Sequence, residues 1–424
     1  MNQTAKKTIP VDIEGICKAA LEASRAMVTI DTETKNRALH KMADALVVGQ
    51  NKIFQANGLD LSEGKKNGLS LAMLDRLKLD EKRISDIATG LLRIADLPDP
   101  VGEVTSMKTR PNGIRVGRMR MPLGVIGIIY ESRPNVTADT SALCLKSGNA
   151  VILRGGSEAI HSNKLISSML MDSASEAGIP ENTIQIIPVT DRTVVSDLLS
   201  MDRYIDLVIP RGGYELIRFV IENSTIPVIK HDKGVCHVYV HSDADINMAT
   251  RIAVNAKIQR PGVCNAMETL LVHEDIASSF LPKVAAALEG GGVELRGCQR
   301  TLSILNNIKA AHEQDWEEEY LDLVLSIKVV ESIENAMDHI STHGSGHTEA
   351  IVTSGFRPAQ KFVARVDSSA VMVNTSTRFN DGGQFGLGAE IGISTQKLHA
   401  RGPMGLEELT SHKFIVFGDG HIRQ

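Results

Sequence analysis

Apolar residues recur at helical spacing through the first hundred positions. Ile84, Ile87, Leu91 and Ile94 form one stripe, with Asp80 placed to cap it; Leu39, Met42, Leu46 and Ile53 form an earlier one. Pro98 and Pro100 close this helical stretch, which opens near residue 11. Over 103–120 the pattern changes. Val104, Met107, Ile114, Val116 and Met119 interleave with Lys108, Arg110, Arg115, Arg118 and Arg120 around Pro111-Asn112-Gly113, which predicts a hairpin with an Asn-Gly turn. A lone hairpin is not stable in water, so it is expected to pack on something else, such as another subunit.

From Gly124 onward apolar strands alternate with helical patterns. Strands are expected at 125–130, 150–153, 183–187, 204–209 and 226–229, with Gly148 and Gly178 as helix stops. A second set follows: strands near 237–240, 269–272, 322–327, 350–352 and 370–373, with helices near 245–259, 275–288, 331–341 and 357–366 between them. Such alternation with apolar strands means parallel α/β sheets. Two α/β domains are expected to meet near 231–236. Residues 411–417 read as a short strand suited to pair with the hairpin.

Composition narrows the function classes. The 424 residues are 42% hydrophobic and 23% charged, as in a soluble globular enzyme. A net charge of −5 leaves no footprint for nucleic acid, and one tryptophan with 4% aromatics leaves few stacking platforms. No apolar run approaches the ~18 residues a membrane span needs, and the polar Met1–Pro10 stretch does not read as a secretory signal. Five cysteines, an odd number, do not read as a disulfide framework, so a reducing cytoplasm is expected.

Among those cysteines Cys264 stands apart. Cys17 and Cys144 lie in apolar helical patterns, Cys236 opens a strand, and Cys298 follows a glycine-rich turn. Cys264 sits in Gln259-Arg260-Pro261-Gly262-Val263-Cys264-Asn265, a polar, helix-breaking loop, where chemistry is usually done. Neither Gly-x-Gly-x-x-Gly after a strand nor a Walker A sequence is present. Two other strand ends are rich in glycine: Arg154-Gly155-Gly156-Ser157 and Arg211-Gly212-Gly213. Each is either a phosphate cradle with a guanidinium beside it or an ordinary βα turn. Asn135, after Tyr130-Glu131-Ser132-Arg133-Pro134, either donates its amide to a developing oxyanion or caps its helix. His339, His343 and His347 have the four-residue spacing of metal ligands, but Gly344 and Gly346 break the helix. A loop binding anions or substrate through His343, Ser345, His347 and Glu349 suits them better, and no metal is expected. Glu317-Glu318-Glu319 reads as a solvated helix face.

Together these residues resemble the aldehyde dehydrogenase superfamily, and within it the γ-glutamyl phosphate reductases, over nearly the whole chain. The most specific piece is the stretch from Val330 through His339, His343-Gly344-Ser345-Gly346-His347-Thr348-Glu349 to Ile351. The Cys264 loop and the run from Met121 to Asn135 add to it. The resemblance implies an α/β, aldehyde dehydrogenase-like fold with two parallel-sheet domains and a β-hairpin oligomerisation element. It implies a dinucleotide-binding domain over 1–230 with 375–400 returning to it. A catalytic domain would span 231–374, with oligomerisation through 103–120 and 403–424. By resemblance Cys264 is the nucleophile and Asn135 the oxyanion donor. Arg154, Gly155, Gly156, Ser157, Arg211, Gly212 and Gly213 hold the cofactor; an arginine at 154, where relatives carry lysine, favours NADPH. The implied reaction reduces L-glutamyl 5-phosphate to L-glutamate 5-semialdehyde, releasing phosphate, in proline biosynthesis. Arg133 and the His343–Glu349 loop are the expected substrate contacts. A homo-oligomer and functional coupling to glutamate 5-kinase are implied as well. His231 stands where dehydrogenases carry the glutamate that activates water, which fits a reductase. The alternatives are an NAD(P)-dependent dehydrogenase for another aldehyde, or a non-catalytic family member.

Overall fold

The structure, a computed structural model, describes residues 11–423 apart from Arg192, His231 and Asp232. Two compact units divide it. The first takes everything described up to Ile229, together with Leu387–Ile391 and the chain from Met404 onward.

Five helices open this unit: α1 (Ile13–Met27), α2 (Thr32–Val48), α3 (Gln50–Lys66), α4 (Leu71–Leu77) and α5 (Glu81–Asp96). Asp12, Asp31, Ser70 and Asp80 accept backbone hydrogen bonds at the N-termini of α1, α2, α4 and α5. Each such cap typically contributes about 1 kcal/mol. The stripe from Leu39 to Ile53 does not form one helix. It breaks at Gly49, which ends α2 and begins α3.

Next come β1 (Val104–Thr109), β2 (Arg115–Pro122), β3 (Val125–Tyr130), α6 (Pro134–Lys146), β4 (Ala150–Gly155), α7 (Ile160–Glu176), β5 (Ile184–Ile186), α8 (Thr193–Leu199), β6 (Leu207–Arg211) and α9 (Tyr214–Asn223). The parallel sheet has the order β5-β4-β3-β6. Strands β3 and β4 are buried along their whole length, as their unbroken apolar runs require. The chain steps outward from β3 to β4 and β5, then crosses to the other side of β3 for β6. That reversal is a topological switch point, the place where open α/β sheets bind ligands. The expected strand at 226–229 reduces to a single bridge, Val208 to Val228. Pro227 has no N–H to extend the ladder.

The second unit, Lys230–Gly386 with Gly392–Pro403, repeats the alternation. Its elements are β7 (Cys236–Val240), α10 (Ile246–Ile258), β8 (Met267–His273), α11 (Glu274–Gly290), β9 (Glu294–Gly297), α12 (Gln299–Leu302), β10 (Lys309–Ala310), β11 (Val324–Val330), α13 (Ile333–His343), β12 (Thr348–Val352), α14 (Phe356–Arg365), β13 (Ala370–Val373), β14 (Ile393–Ser394) and β15 (Gly402–Pro403). Seven strands form a parallel sheet, β10-β9-β11-β8-β7-β12-β13. Val238, Leu270, Phe280, Val284 and Ile327 pack into its main core, each fully buried. Burying such a side chain contributes about 1.5–3 kcal/mol.

The stretch 375–400, expected to return to the first unit, divides instead. Only Leu387–Ile391 returns. Residues on either side are tied to the second unit: Asn380 bonds Thr348, Ser394 bonds the Lys230 carbonyl, and β14 pairs with β15.

The last strand, β16 (Thr410–Phe417), runs antiparallel to β2, giving a three-stranded sheet β1-β2-β16 in the first unit. The hairpin turn carries Gly113 at φ 89°, the left-handed conformation an Asn-Gly turn supplies. Among the described residues no helix is long and apolar enough to cross a membrane.

Candidate active site

In the second unit Cys264 lies, half-buried, in the turn between α10 and β8, at the amino end of its sheet. Four contacts fix that loop. The buried Cys236 thiol donates to the Cys264 carbonyl oxygen at 3.1 Å. Gly234 lies against the same backbone; a Cβ there would come within 2.1 Å of the Cys264 carbonyl oxygen and 2.6 Å of its Cα. The Asn265 amide donates to the Asn380 carbonyl at 2.9 Å. Arg378 donates from Nε to Gln259 at 2.8 Å and from Nη1 to Asn265.

Below the loop, Lys257 at the end of α10 meets Glu268 in β8 at 2.5 Å, both fully buried. This pair joins the two ends of the segment that carries the thiol. Burial lowers the Lys257 pKa and raises that of Glu268 to about 8, so each charge depends on the other. None of Lys257, Glu268, Arg378, Asn380 or the bonding role of Cys236 was singled out in the sequence. The available signal was a charge on a buried period: Lys257 follows Ala249, Ala253 and Ala256 on the inner face of α10, and Glu268 interrupts an apolar strand.

The acidic run 317–319 is not a helix face. The preceding helical turn ends at Trp316, and Glu319 turns inward. Burial raises its pKa, against a hydrogen bond from the Gly234 N–H and the nearby charges of His347 and Lys233. The signature loop also differs from expectation. His343 ends α13 and lies 3.4 Å from Glu317, and Ser345 accepts from the Val235 N–H at 3.0 Å. His347 and Glu349 are fully buried, because His347 leads straight into β12, a strand flanked on both sides by β7 and β13. Glu349 binds the His237 N–H at 2.8 Å and its ring at 2.9 Å. Neither residue is an exposed substrate contact: both organise the sheet behind the loop.

In the first unit the two glycine-rich turns come together. Tyr130 pairs with Gly155 on one side and Arg211 on the other, so both turns flank the end of β3 at the switch point. The backbone is closely approached at both turns: a Cβ at Gly155 would sit 2.2 Å from the Asn163 amide, and one at Gly212 would meet the Glu131 carboxylate at 2.5 Å, so either side chain would have to shift. The Gly213 N–H, at the start of α9, donates to the Glu131 carboxylate at 2.9 Å. Glu158 holds Ser132, at φ 42°, through the Ser132 N–H at 2.5 Å and hydroxyl at 2.6 Å. The Arg154 guanidinium is buried and donates to the carbonyls of Gly155, Thr190 and Asp191 at 3.0, 3.1 and 3.4 Å. Ser157 is exposed, and Arg211 is half-buried at the end of β6. The Glu131 carboxylate thus occupies a backbone donor at a helix N-terminus, the kind of donor that can hold an anion.

Asn135 is not a helix cap. Arg133, exposed, occupies the cap position, Pro134 begins α6, and the Asn135 amide donates to Asp139 one turn on, at 3.0 Å. An amide N–H₂ carries two hydrogens, so one donor remains beyond that bond. His231 lies outside the described residues.

The chain matches the aldehyde dehydrogenase family model over residues 3–294. It is 58% identical to the gamma-glutamyl phosphate reductase of Moorella thermoacetica, over 98% of this chain and 100% of that protein. The gamma-glutamyl phosphate reductase of Clostridium tetani is 56% identical, over 96% of this chain and 97% of its own. The crystal structure of gamma-glutamyl phosphate reductase from Thermotoga maritima superposes with a TM-score of 0.96 at 47% identity, covering 98% of this chain and 100% of that one. With its two parallel α/β sheets and a cysteine loop between α10 and β8, the chain belongs to the aldehyde dehydrogenase family, among its gamma-glutamyl phosphate reductases.

Proposed function

We propose that the protein reduces L-glutamyl 5-phosphate to L-glutamate 5-semialdehyde with release of phosphate, through a thioester on Cys264. The observation that carries this reading is the fixed loop that presents a half-buried thiol, in a chain 58% identical to a gamma-glutamyl phosphate reductase. The thiol attacks the acyl carbon, and the C–O bond to phosphate breaks. The oxyanion formed at that carbon is the acceptor assigned to the Cys264 backbone N–H, a donor contributing roughly 3–4 kcal/mol.

The family uses a nicotinamide cofactor, which supplies the hydride when bound. The residues that fit it are Gly212, Gly213 and Arg211 at one turn and Arg154, Gly155, Gly156 and Ser157 at the other. The Gly213 N–H at the start of α9 is a backbone donor of the kind that holds phosphate, once the Glu131 carboxylate releases it. NADPH is favoured over NADH because Arg154 supplies a guanidinium for a 2′-phosphate. In this reading Arg154 first releases the Thr190 and Asp191 carbonyls. A small-molecule substrate, a cytoplasmic setting and assembly through the β1-β2-β16 sheet complete the picture.

The deciding experiment supplies L-glutamate 5-semialdehyde and NADP⁺ with and without inorganic phosphate. NADPH should appear only when phosphate is present, and Cys264→Ala should stop it while nucleotide still binds. Rapid oxidation without phosphate would make the protein an aldehyde oxidiser instead.

A further inference from the structure

Arg378 is half-buried against the catalytic loop, and among the described residues no carboxylate pairs with it. Its acceptors, Gln259 Oε1 and Asn265 Oδ1, are neutral amides. Asp381, the closest acid in sequence, accepts instead from the Gly383 and Gln384 N–H groups at 2.9 and 3.2 Å. Four other arginines of the same unit, Arg296, Arg300, Arg365 and Arg401, each meet a carboxylate. Arg260, exposed four residues before the thiol, adds a second positive charge that acts on Arg378. Burial and then this repulsion lower the Arg378 pKa, yet a guanidinium stays charged at any working pH.

Arg378 is a half-buried cation whose direct acceptors are neutral and on which Asp381 acts only through its charge, and it holds the residue next to the nucleophile. Two of its five N–H donors are used on the loop. The remainder form the planar fork that matches phosphate oxygens. A clamp for two amides would not need a charge; a receptor for a dianion would.

We propose that Arg378, seconded by Arg260, binds the phosphoryl group of the acyl-phosphate substrate, stabilises the departing phosphate, and selects acyl phosphates over other acyl donors. This rests on Cys264 being the acylated nucleophile. In that step the Cys264 sulfur forms a bond to the acyl carbon and the carbon–oxygen bond to phosphate breaks. The electron pair leaves on that oxygen. The proton given up by the thiol departs on phosphate as HPO₄²⁻, so no electrons pass to or from a cofactor. The guanidinium meets charge as it accumulates on the leaving group.

The test compares two acyl routes in the full-length wild type, Arg378→Gln and Arg378→Lys. One is the phosphate-dependent reverse reaction, read as kcat/KM for inorganic phosphate. The other is p-nitrophenyl acetate hydrolysis, in which Cys264 is acylated by a neutral ester. In Arg378→Gln the ratio of the first to the second should fall about 10- to 100-fold, the range for a lost charge-assisted hydrogen bond. Arg378→Lys should recover part of the ratio, because it keeps the charge and loses the fork. An equal loss on both routes, or no loss on either, would overturn the assignment and leave Arg378 as a loop clamp. A wild type that oxidises the semialdehyde without any need for phosphate would instead sink the acyl-phosphate reading, and this assignment with it.

Discussion

The Cys236 thiol donates to the carbonyl oxygen of Cys264 at 3.1 Å, so a buried cysteine in one strand holds the loop that carries the proposed nucleophile. Burial raises the Cys236 pKa well above that of an ordinary thiol, which keeps it protonated as a donor. Cys236→Ala removes the donor and should slow acylation of Cys264 about 5-fold, the equivalent of roughly 1 kcal/mol. Cys236→Ser keeps an O–H and should retain most of the rate. Stopped-flow acylation kinetics check this; a serine variant as slow as the alanine one would remove the donor from the account.

The Lys257–Glu268 pair predicts a stability asymmetry. Lys257→Met leaves a buried carboxylate without its partner and should destabilise the protein by about 3–5 kcal/mol. The double variant Lys257→Met with Glu268→Leu should recover most of that loss. Urea unfolding of both variants decides the point, and additive losses would mean that the charges do not compensate each other.

Asp139 should make stability depend on pH in the acid range. Burial raises its pKa from 3.8 to about 6, partly offset by the Asn135 hydrogen bond. A carboxyl raised on folding binds its proton more tightly in the native state. Its contribution is therefore complete below about pH 4 and is lost as pH rises through about 6. Relative to Asp139→Asn, the wild type should lose about 1–3 kcal/mol between those limits. Denaturant titrations at pH 4, 5, 6 and 7 measure it, and a gain with rising pH contradicts the assignment.

The strand β16 exposes Phe414 by 72% and Val416 by 58%, two residues apart and so on one face of the three-stranded sheet. Such a face is expected to pair with a second copy of the chain. Phe414→Glu together with Val416→Glu should lower the particle mass measured by light scattering without changing the far-UV spectrum. An unchanged mass would place the subunit contact elsewhere.

Much of the fold was legible because buried strands announce themselves. The runs Val125–Tyr130 and Ala370–Val373 coincide with β3 and β13 to the residue. Short strands at the sheet's edge were not: β9 carries Glu294 and Arg296 on alternate positions, and β10 is two residues long. Ile226–Ile229 looked like a strand because its side chains are apolar, but pairing is a backbone property, and Pro227 limits it. At the candidate site the thiol and Asn135 were visible as unusual residues on loops and turns. What holds them was not. Lys257 and Glu268 are eleven residues apart, and Arg378 reaches Asn265 across 113. Contacts across such separations are fixed by topology, to which local periodicity is blind. The burial of His347 and Glu349 escaped for a related reason: polar side chains at the start of an interior strand look like a loop until the strand is seen.

The clasp beneath the thiol bears on how the protein breathes. Loops usually fray at little cost, because few buried contacts are lost when they open. This one is pinned at both ends by the buried Lys257–Glu268 contact, and lifting it peels its backbone from Gly234 and breaks the Cys236 hydrogen bond. Its amide protons should therefore exchange with solvent mainly when the neighbouring strands come apart, so the aim of the proposed nucleophile should outlast heating until the second unit itself melts.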